Sequence, residues 1–190
     1  MTQDELFTTD RLLPGMIYRA EFIDREEEAR LLALIRELPF AYARYREFTA
    51  RRRTVSFGGS YDFSERELEP AAPIPQSLHW IRSRMAELMG VHASDLNHAL
   101  VAEYAPGAPL GWHRDVPDFE LVGGLSLHGR ARMRLRPYPH RKGDRTGLKI
   151  DLEPRSAYVL RGAARWNWQH AISPARELRY SLTFRTLRVA

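Results

Sequence analysis

Short strand-like segments, closely spaced along the second half of the chain, constrain the fold more than any other feature of the sequence. The candidates are Ala99–Tyr104, Leu121–Leu127, Ala131–Arg136, Leu148–Leu152, Ser156–Leu160 and Arg179–Leu187. Several short strands separated by turns predict a sandwich or a barrel. Helical patterns dominate before residue 90, so the fold class is predicted to be α+β. The simplest architecture that fits is a jelly roll with N-terminal helices packed on its outside.

Two amphipathic helices are predicted in the first half of the chain. Asp24 and Glu27 have the spacing of a capping box at the start of the first. Its apolar residues recur at helical spacing: Leu31, Leu34, Ile35 and Leu38. The second is predicted from about Pro75 to Met89. No repeat or long linker divides the chain, so we expect a single domain over residues 1–190, with a jelly-roll core over about 97–188.

The residue types present limit the chemistry. The chain has no cysteine, so a transition metal would need imidazole and carboxylate ligands. The N-terminus lacks the pattern of a signal peptide and no apolar stretch approaches about 18 residues, so we expect a cytoplasmic protein, and a monomer. The formal net charge of +5 favours an anionic partner, although a basic surface kept for solubility is the alternative.

One tripeptide, His113-Arg114-Asp115, places an imidazole and a carboxylate two residues apart. On an extended strand these side chains point to the same side, so both can reach one metal ion. His170, shortly before the last strand, is the best third ligand. Two histidines and one carboxylate are the set used by non-haem iron(II) oxygenases. Alone, the tripeptide is a weak signal, because it occurs often by chance and a lone histidine is usually a packed or surface residue.

The last predicted strand has two chemically different faces. One face is apolar and consists of Tyr180, Leu182 and Phe184. The other is polar and consists of Arg179, Ser181, Thr183 and Arg185. The polar face either meets solvent, as in an amphipathic edge strand, or lines a cavity that holds an anion. An arginine suits the second interpretation, because its planar fork matches a carboxylate in two parallel hydrogen bonds.

Three sequence blocks together indicate a protein family, although each alone would be poor evidence. They are Glu103–Asp115, Gln169–Ile172 and Arg179–Arg185. In this order and at this spacing they resemble the AlkB family of iron(II)/2-oxoglutarate dioxygenases. The resemblance is strong from about Asn97 to Arg188 and weaker before it. It implies a double-stranded β-helix, which agrees with the jelly roll predicted from the strand pattern.

The resemblance implies a role for each matching residue. His113, Asp115 and His170 would bind iron(II) as the catalytic centre. Arg179 would bind the distal carboxylate of 2-oxoglutarate. Further co-substrate contacts are implied for Tyr104, Ser181 and Arg185.

Two positions depart from the family pattern. The family commonly has asparagine at both, whereas this chain has Ala102 and Ser181. Serine can still form a hydrogen bond but alanine cannot, so some co-substrate contacts must be rebuilt or lost. We expect activity to survive, because the metal ligands and both arginines remain.

The resemblance also implies the chemistry. The cofactors would be Fe(II), 2-oxoglutarate as co-substrate, and dioxygen. The reaction would hydroxylate a substrate C–H bond while 2-oxoglutarate is converted to succinate. If the carbon is an N-methyl group, the product falls apart into an amine and formaldehyde.

The resemblance implies that a basic stretch rich in aromatic residues, at about 40–62, is the lid that holds the target nucleotide. Arginines suit phosphates and aromatics suit stacking on bases. The candidate substrate-binding residues are Arg52, Arg53, Phe57, Tyr61 and Trp112. The alternative for this stretch is a solvated loop with packed aromatics. In a second basic stretch, Gly129–Lys149, the arginines at 130, 132, 134 and 136 would share one strand face and could follow a phosphate backbone, or could discourage edge pairing.

Oxidative demethylation of alkylated bases in DNA or RNA is therefore the leading hypothesis. The first alternative keeps the oxygenase chemistry but acts on a protein or a small molecule. The second is a jelly roll that binds nucleic acid without catalysis. A steep salt dependence of substrate binding would separate the first two, and turnover of 2-oxoglutarate would exclude the third.

Overall fold

The computed structural model describes residues 12–45, 48–62 and 67–188, and for the strand residues within 43–50 and 60–69 it describes the backbone alone. The helices within these residues are α1 (Arg25–Arg36), α2 (His79–Met89) and α3 (Gly162–Trp166). The strands are β1 (Met16–Arg19), β2 (Ala41–Tyr45), β3 (Phe48–Phe57), β4 (Ser60–Asp62), β5 (Glu67–Glu69), β6 (Leu96–Tyr104), β7 (Leu110–His113), β8 (Phe119–Leu127), β9 (Ala131–Pro137), β10 (Leu148–Leu152), β11 (Ala157–Leu160), β12 (Trp168–Ile172) and β13 (Arg179–Leu187). No helix in these ranges is long and apolar enough to cross a membrane.

Two antiparallel sheets face each other. The larger has the order β1-β11-β8-β13-β6-β3-β2 and the smaller the order β10-β9-β12-β7, while β4 and β5 form a separate pair. From β6 to β13 the chain passes back and forth between the two sheets, and apolar residues from both, such as Val122 and Met133, pack together between them. This arrangement is a double-stranded β-helix, so the predicted jelly roll is confirmed.

Strand β13 lies in the middle of the larger sheet, between β8 and β6. Its residues alternate between two buried environments, because successive side chains of a strand point to opposite faces. Leu182 and Phe184 belong to the main hydrophobic core, whereas Arg179 and Arg185 point to the space between the sheets. The polar face of this strand is therefore buried between the two sheets and does not meet solvent.

Helices α1 and α2 cover the outer face of the larger sheet. The predicted capping box is present, since the Glu27 amide donates to Asp24 at 2.8 Å and the Asp24 amide donates to Glu27 at 3.0 Å. The residues that the helices bury in the core include Leu31, Ile35, Ile81 and Met85. A 3-10 turn at Gln76–Leu78 precedes α2, so the second helix begins later than the sequence predicted.

Most of the candidate lid at 40–62 forms strands, so the alternative of a solvated loop is wrong, while the role of this segment as a lid stays a prediction. Strand β3 pairs with β6 from Arg52 to Phe57, and β2 pairs with β3, so this segment extends the larger sheet. The reason is visible in the alternation from Thr54 to Phe57, which the surrounding run of arginines obscured.

Candidate metal centre

Strands β7 and β12 bring three potential ligands together. His113 is the last residue of β7, Asp115 follows two residues later, and His170 of β12 is the register partner of His113. One ligand atom from each residue lies within 4.8 Å of the other two. This spacing could hold one divalent cation, and it joins residues that are 55 positions apart (170 − 115) in the sequence.

Both imidazoles are held in the neutral form that can bind a metal. Burial lowers the pKa of His170 to about 3, and burial also lowers the pKa of His113. His113 Nδ1 lies 2.9 Å from the Gly111 carbonyl oxygen. Because a carbonyl oxygen only accepts, Nδ1 carries the proton and Nε2 keeps the lone pair that a metal needs.

The Asp115 carboxylate is held in its ionised form. Its burial alone would raise its pKa, but the nearby charge of Arg185, the largest opposing contribution, outweighs that effect and lowers the pKa well below the usual range. Arg185 donates to Oδ1 from Nε at 2.8 Å and from Nη2 at 2.7 Å. The other oxygen, Oδ2, lies 3.7 Å from His170 Nε2 and has the position of a metal ligand.

Arg185 reaches beyond Asp115 to His98, a residue that sequence reasoning left unassigned. Arg185 Nη1 lies 3.2 Å from His98 Nδ1. Burial, and then the charge of Arg185, lower the pKa of His98 to about 3, so the ring is neutral and can accept this hydrogen bond. The guanidinium of Arg185 thus orients the carboxylate, and the co-substrate contact implied for Arg185 stays a prediction.

Arg165 of α3 fixes the segment that follows β7, and sequence reasoning missed it. Its Nη2 donates to the carbonyl oxygens of Asp115, Val116 and Phe119 at 3.1, 2.8 and 2.8 Å. The side chain is 2% exposed. A single arginine in a short helix has no periodic pattern, so only the folded chain reveals this role.

A cationic pocket lies deeper between the sheets, around Arg179. Its Nε donates to Ser126 Oγ at 3.1 Å, while its buried Nη1 has no partner among the described residues. The Tyr104 ring lies 5.1 Å from the guanidinium carbon, and Ser181 shares the face. A buried donor without an acceptor is unfavourable, and a bound carboxylate would remove that cost.

Tyr158 also belongs to the surroundings of Arg179, and sequence reasoning did not identify it. It lies on Gly124, where a Cβ atom would approach the Tyr158 ring to 2.4 Å. Burial, together with the charge of Asp115, raises the pKa of this phenol, so it keeps its proton at neutral pH. The pocket therefore contains a neutral hydroxyl group beside the Arg179 charge.

For two of the predicted substrate-binding residues, the structure excludes stacking on a base at the metal centre. Phe57 is 7% exposed and belongs to the main hydrophobic core, so it cannot stack on a base. Trp112 precedes His113 in β7 and therefore points away from the metal ligands, to the outer face of the smaller sheet, where it contacts Arg134 and Arg136. In both cases the aromatic residue type suggested stacking on a base, but the alternation of side chains along the strand determines where the ring points.

The remaining predicted substrate residues differ in their surroundings. Arg53 forms a two-bond ion pair with Glu103, with distances of 2.8 and 2.9 Å. Arg52 is half-buried, is the register partner of Tyr104, and acts electrostatically on His113, so it lies at the metal end of the cavity. The side chain of Tyr61 lies outside the described part of the structure.

Comparison with known proteins identifies relatives of this fold and site. A model of the 2OG-Fe(II) oxygenase superfamily matches residues 16–186. An uncharacterised protein, L905, of Acanthamoeba polyphaga mimivirus is 35% identical over 104 residues, which is 46% of this chain and 47% of that protein. The alkylated DNA repair protein ALKBH8 homolog of Arabidopsis thaliana is 25% identical over 189 residues, which is 88% of this chain and 53% of that protein.

A mouse protein extends this comparison. The tRNA (carboxymethyluridine(34)-5-O)-methyltransferase ALKBH8 of Mus musculus is 24% identical over 172 residues, 87% of this chain. The chain spans only 25% of the length of that protein, and about half the length of the other two.

Solved structures show the same fold at low sequence identity. The structure of OsALKBH1 superposes with a TM-score of 0.74 and 18% identity, covering 92% of this chain and 98% of that one. A prolyl-4-hydroxylase from Pseudomonas putida superposes with a TM-score of 0.62 and 18% identity, covering 93% and 94%. Both support the double-stranded β-helix and say nothing about the substrate.

Proposed function

The chain belongs to the 2OG-Fe(II) oxygenase superfamily and is AlkB-like, and from this premise we propose that it oxidatively demethylates alkylated bases in nucleic acid. As a member of that family it is a dioxygenase that uses Fe(II), 2-oxoglutarate and dioxygen. Support for a nucleic-acid substrate comes from relatives whose names refer to alkylated DNA repair and to tRNA, and from the basic surface. Because the chain spans only part of those relatives, their activities remain a proposal here.

We assign the iron ligands to His113, Asp115 and His170. The residues fit the metal, because two neutral imidazoles and one ionised carboxylate converge within 4.8 Å. Two histidines and a carboxylate on one face leave coordination positions open for further ligands. The juxtaposition of these three side chains is the single observation that carries the proposed function.

Arg179 is assigned to the distal carboxylate of 2-oxoglutarate. The fit rests on its buried Nη1, which has no partner in the described residues, and on the nearby hydroxyl groups of Tyr104, Tyr158 and Ser181. In place of the family asparagines, the chain offers these hydroxyl groups. Their arrangement can rebuild contacts that Ala102 cannot make.

The protein's own groups have separate tasks in the reaction. When bound, iron with 2-oxoglutarate and dioxygen supplies the oxidation, in which 2-oxoglutarate becomes succinate and carbon dioxide and one oxygen atom enters a substrate C–H bond. Arg185 and Arg165 hold Asp115 in place from its carboxylate and its backbone, respectively. Arg52, which acts electrostatically on His113, would meet an anionic part of the substrate.

Measurement of succinate and formaldehyde tests the proposal. Wild-type protein with Fe(II) and 2-oxoglutarate under air should form both when a methylated single-stranded oligonucleotide is added. His113→Ala should form neither product. His92→Ala is the control, because it changes an exposed histidine between α2 and β6, and it should match wild type. Succinate that the oligonucleotide does not stimulate would contradict the substrate and favour a protein or small molecule. Bound iron without any turnover would contradict the catalytic assignment.

A further inference from the structure

The outer face of the smaller sheet carries four arginines that divide into two unlike pairs. Arg130 is ion-paired with Glu153 at 2.7 Å, and Arg132 with Asp151 at 2.6 Å. Both of these arginines are therefore neutralised by their neighbours. The predicted continuous basic stripe does not extend over this first pair.

The second pair, Arg134 and Arg136, is not neutralised. Arg132 has Asp151 as its cross-strand partner in β10, but Arg134 has Lys149. Like charges directly opposite each other are unfavourable in a sheet. Among the described residues, no carboxylate oxygen lies within ion-pairing distance of Arg134, Arg136 or Lys149. This positive charge lacks a structural explanation within the described chain.

Trp112 holds both guanidinium groups in fixed positions. The guanidinium carbons of Arg136 and Arg134 lie 4.3 and 5.0 Å from the Trp112 ring centroid. Arg136 Nε also donates to Gln169 Oε1 at 2.9 Å, and the buried Nε of Arg134 has no partner in the described residues. Ordering these side chains in advance reduces the entropy that is lost when an anion binds.

We propose that Trp112, Arg134, Arg136 and Lys149 form a surface, here called the Trp112 face, that binds the phosphate backbone of single-stranded nucleic acid beside the metal centre. The inference rests on the proposed function in taking nucleic acid as the substrate. Two adjacent arginine forks suit phosphate oxygens, and the loop that follows β9 carries further exposed cations at Arg141, Lys142 and Arg145.

The position of β7 connects this surface to the site. In the described sheet β7 is the edge strand, with Trp112 on its outer face and His113 on its inner face. A nucleic-acid strand that crosses this edge can place one base near His113 while its neighbouring phosphates lie on the Trp112 face. Tyr138, which is 43% exposed and stacked on Arg114 at 3.7 Å, offers a flat surface for a flanking base.

Binding of an unmethylated single-stranded oligonucleotide over a salt series tests this surface. For Arg134→Gln/Arg136→Gln, the slope of log K against log salt should fall by about 1.4, because two phosphate contacts at about 0.7 each are lost. Arg130→Gln/Arg132→Gln is the matched control, because it makes the same charge change at alternate positions at the start of β9, and it should keep the wild-type slope. Arg134→Lys/Arg136→Lys should also keep the wild-type slope, because it conserves both positive charges. This variant therefore separates the effect of charge from the effect of packing on Trp112.

Two further readouts keep the outcomes distinct. The anaerobic absorbance of bound Fe(II) and 2-oxoglutarate should be unchanged in every variant, because the surface lies outside the metal centre. Formaldehyde release from a methylated oligonucleotide is measured separately on wild-type protein.

If wild type releases formaldehyde but all variants share one salt slope, the Trp112 face is overturned and the proposed function stands. If wild type releases no formaldehyde, while Arg134→Gln/Arg136→Gln is the only variant with a reduced salt slope, the proposed function is overturned and the surface stands. Binding of poly-glutamate in place of the oligonucleotide would overturn the surface and point to an acidic protein partner.

Discussion

Arg179 is a fully buried guanidinium whose Nε is bonded to Ser126 and whose Nη1 lacks a partner within the described chain. A buried charge without full hydrogen bonding destabilises a protein. Its presence at the centre of the larger sheet is therefore better explained by an anionic ligand than by folding. The sequence marked this residue as a candidate for binding an anion, and the buried Nη1 adds a physical reason for that prediction.

Arg179→Met should weaken 2-oxoglutarate binding by about 10- to 100-fold, because a charged hydrogen bond of about 1.5–3 kcal/mol is lost. Calorimetric titration of 2-oxoglutarate into the anaerobic Fe(II) protein measures this. Ser126→Ala is the control and should have a smaller effect, since it removes a neutral acceptor from Nε alone. Unchanged affinity in Arg179→Met would contradict the assignment, and the metal affinity should stay the same in both variants.

His98 predicts how the metal-free protein responds to acid. Burial lowers its pKa to about 3, whereas an unfolded histidine titrates near about 6.5. Between these values the unfolded chain binds a proton that the native state does not, so stability falls as the pH falls. The loss approaches about 1.4 kcal/mol per pH unit for this one residue.

His98→Asn should therefore reduce the pH dependence of stability between pH 6 and 5 by about one proton. Asparagine keeps an acceptor for Arg185 but does not titrate. Urea denaturation of the metal-free wild type and variant at both pH values measures the difference. An identical pH dependence in the two proteins would show that His98 is already protonated in the native state.

At the scale of elements, strand β8 packs closely on both of its faces because Gly123 and Gly124 lack side chains. A Cβ at Gly123 would meet the sulfur atoms of Met89 and Met85 at 2.6 and 2.7 Å, and one at Gly124 would meet the Tyr158 ring at 2.4 Å. Thioether chains can move, whereas a buried ring cannot easily do so.

Gly124→Ala should destabilise the protein by about 3 kcal/mol, near the upper end for overpacking, and Gly123→Ala by about 1 kcal/mol. The two substitutions add the same atom to adjacent positions, so each is the control for the other. Chemical denaturation gives both values. Equal losses would contradict the argument that the rigidity of Tyr158 decides the cost.

Glu28 connects α1 to two turns of the larger sheet. Its Oε1 accepts from the His128 amide at 2.9 Å and its Oε2 accepts from Arg155 Nη1 at 3.1 Å. Both partners have a backbone φ of 68°, a conformation that is uncommon for residues other than glycine. The carboxylate thus stabilises two turns whose backbone conformation is itself unfavourable.

Glu28→Ala should lower the free energy of unfolding by about 1–3 kcal/mol, because the His128 amide and the Arg155 guanidinium lose a charged acceptor. Glu26→Ala is the matched control, since Glu26 lies in the same first turn but is exposed. Its change should stay within about 0.5 kcal/mol. A comparable loss in both variants would assign the effect to the helix terminus and not to the turns.

The elements that the sequence predicted are those in which apolar residues recur without interruption at the spacing of a helix or a strand. The strands Leu148–Leu152 and Arg179–Leu187 were predicted at their observed bounds, and the capping box of α1 is present. The elements that were missed are short or basic. Strands β7 (Leu-Gly-Trp-His) and β12 (Trp-Gln-His-Ala-Ile) do not alternate between apolar and polar residues, and the arginines of β3 concealed its alternation.

At the scale of the whole molecule, the site joins the two sheets. His113 and His170 belong to the smaller sheet, whereas Arg179 and Arg185 belong to the larger. The sequence predicted these residues from three blocks of resemblance. It could not predict Arg165 or Tyr158, nor the contact of His98 with Arg185, because each acts through contacts between segments that are distant in the chain.

A co-substrate that binds iron at one end and Arg179 at the other would connect the sheets, so it should stabilise the whole fold. At a concentration of about 100 times Kd the gain is about 2.7 kcal/mol. Thermal denaturation should show an increment for Fe(II) alone and a second one when 2-oxoglutarate is added anaerobically. Arg179→Met should keep the first increment and lose most of the second. An equal second increment in the variant would mean that 2-oxoglutarate does not reach Arg179.

Strand β13 tolerates little change of side chain on either face, since its residues from Arg179 to Thr186 are all buried. Insertion or deletion of one residue would exchange its catalytic and core faces together. Descendants of this protein could therefore hardly alter the strand without losing both folding and chemistry. Evolutionary change in substrate choice should accumulate elsewhere, in the exposed loop between β9 and β10, where length and charge can vary while the metal centre is inherited intact.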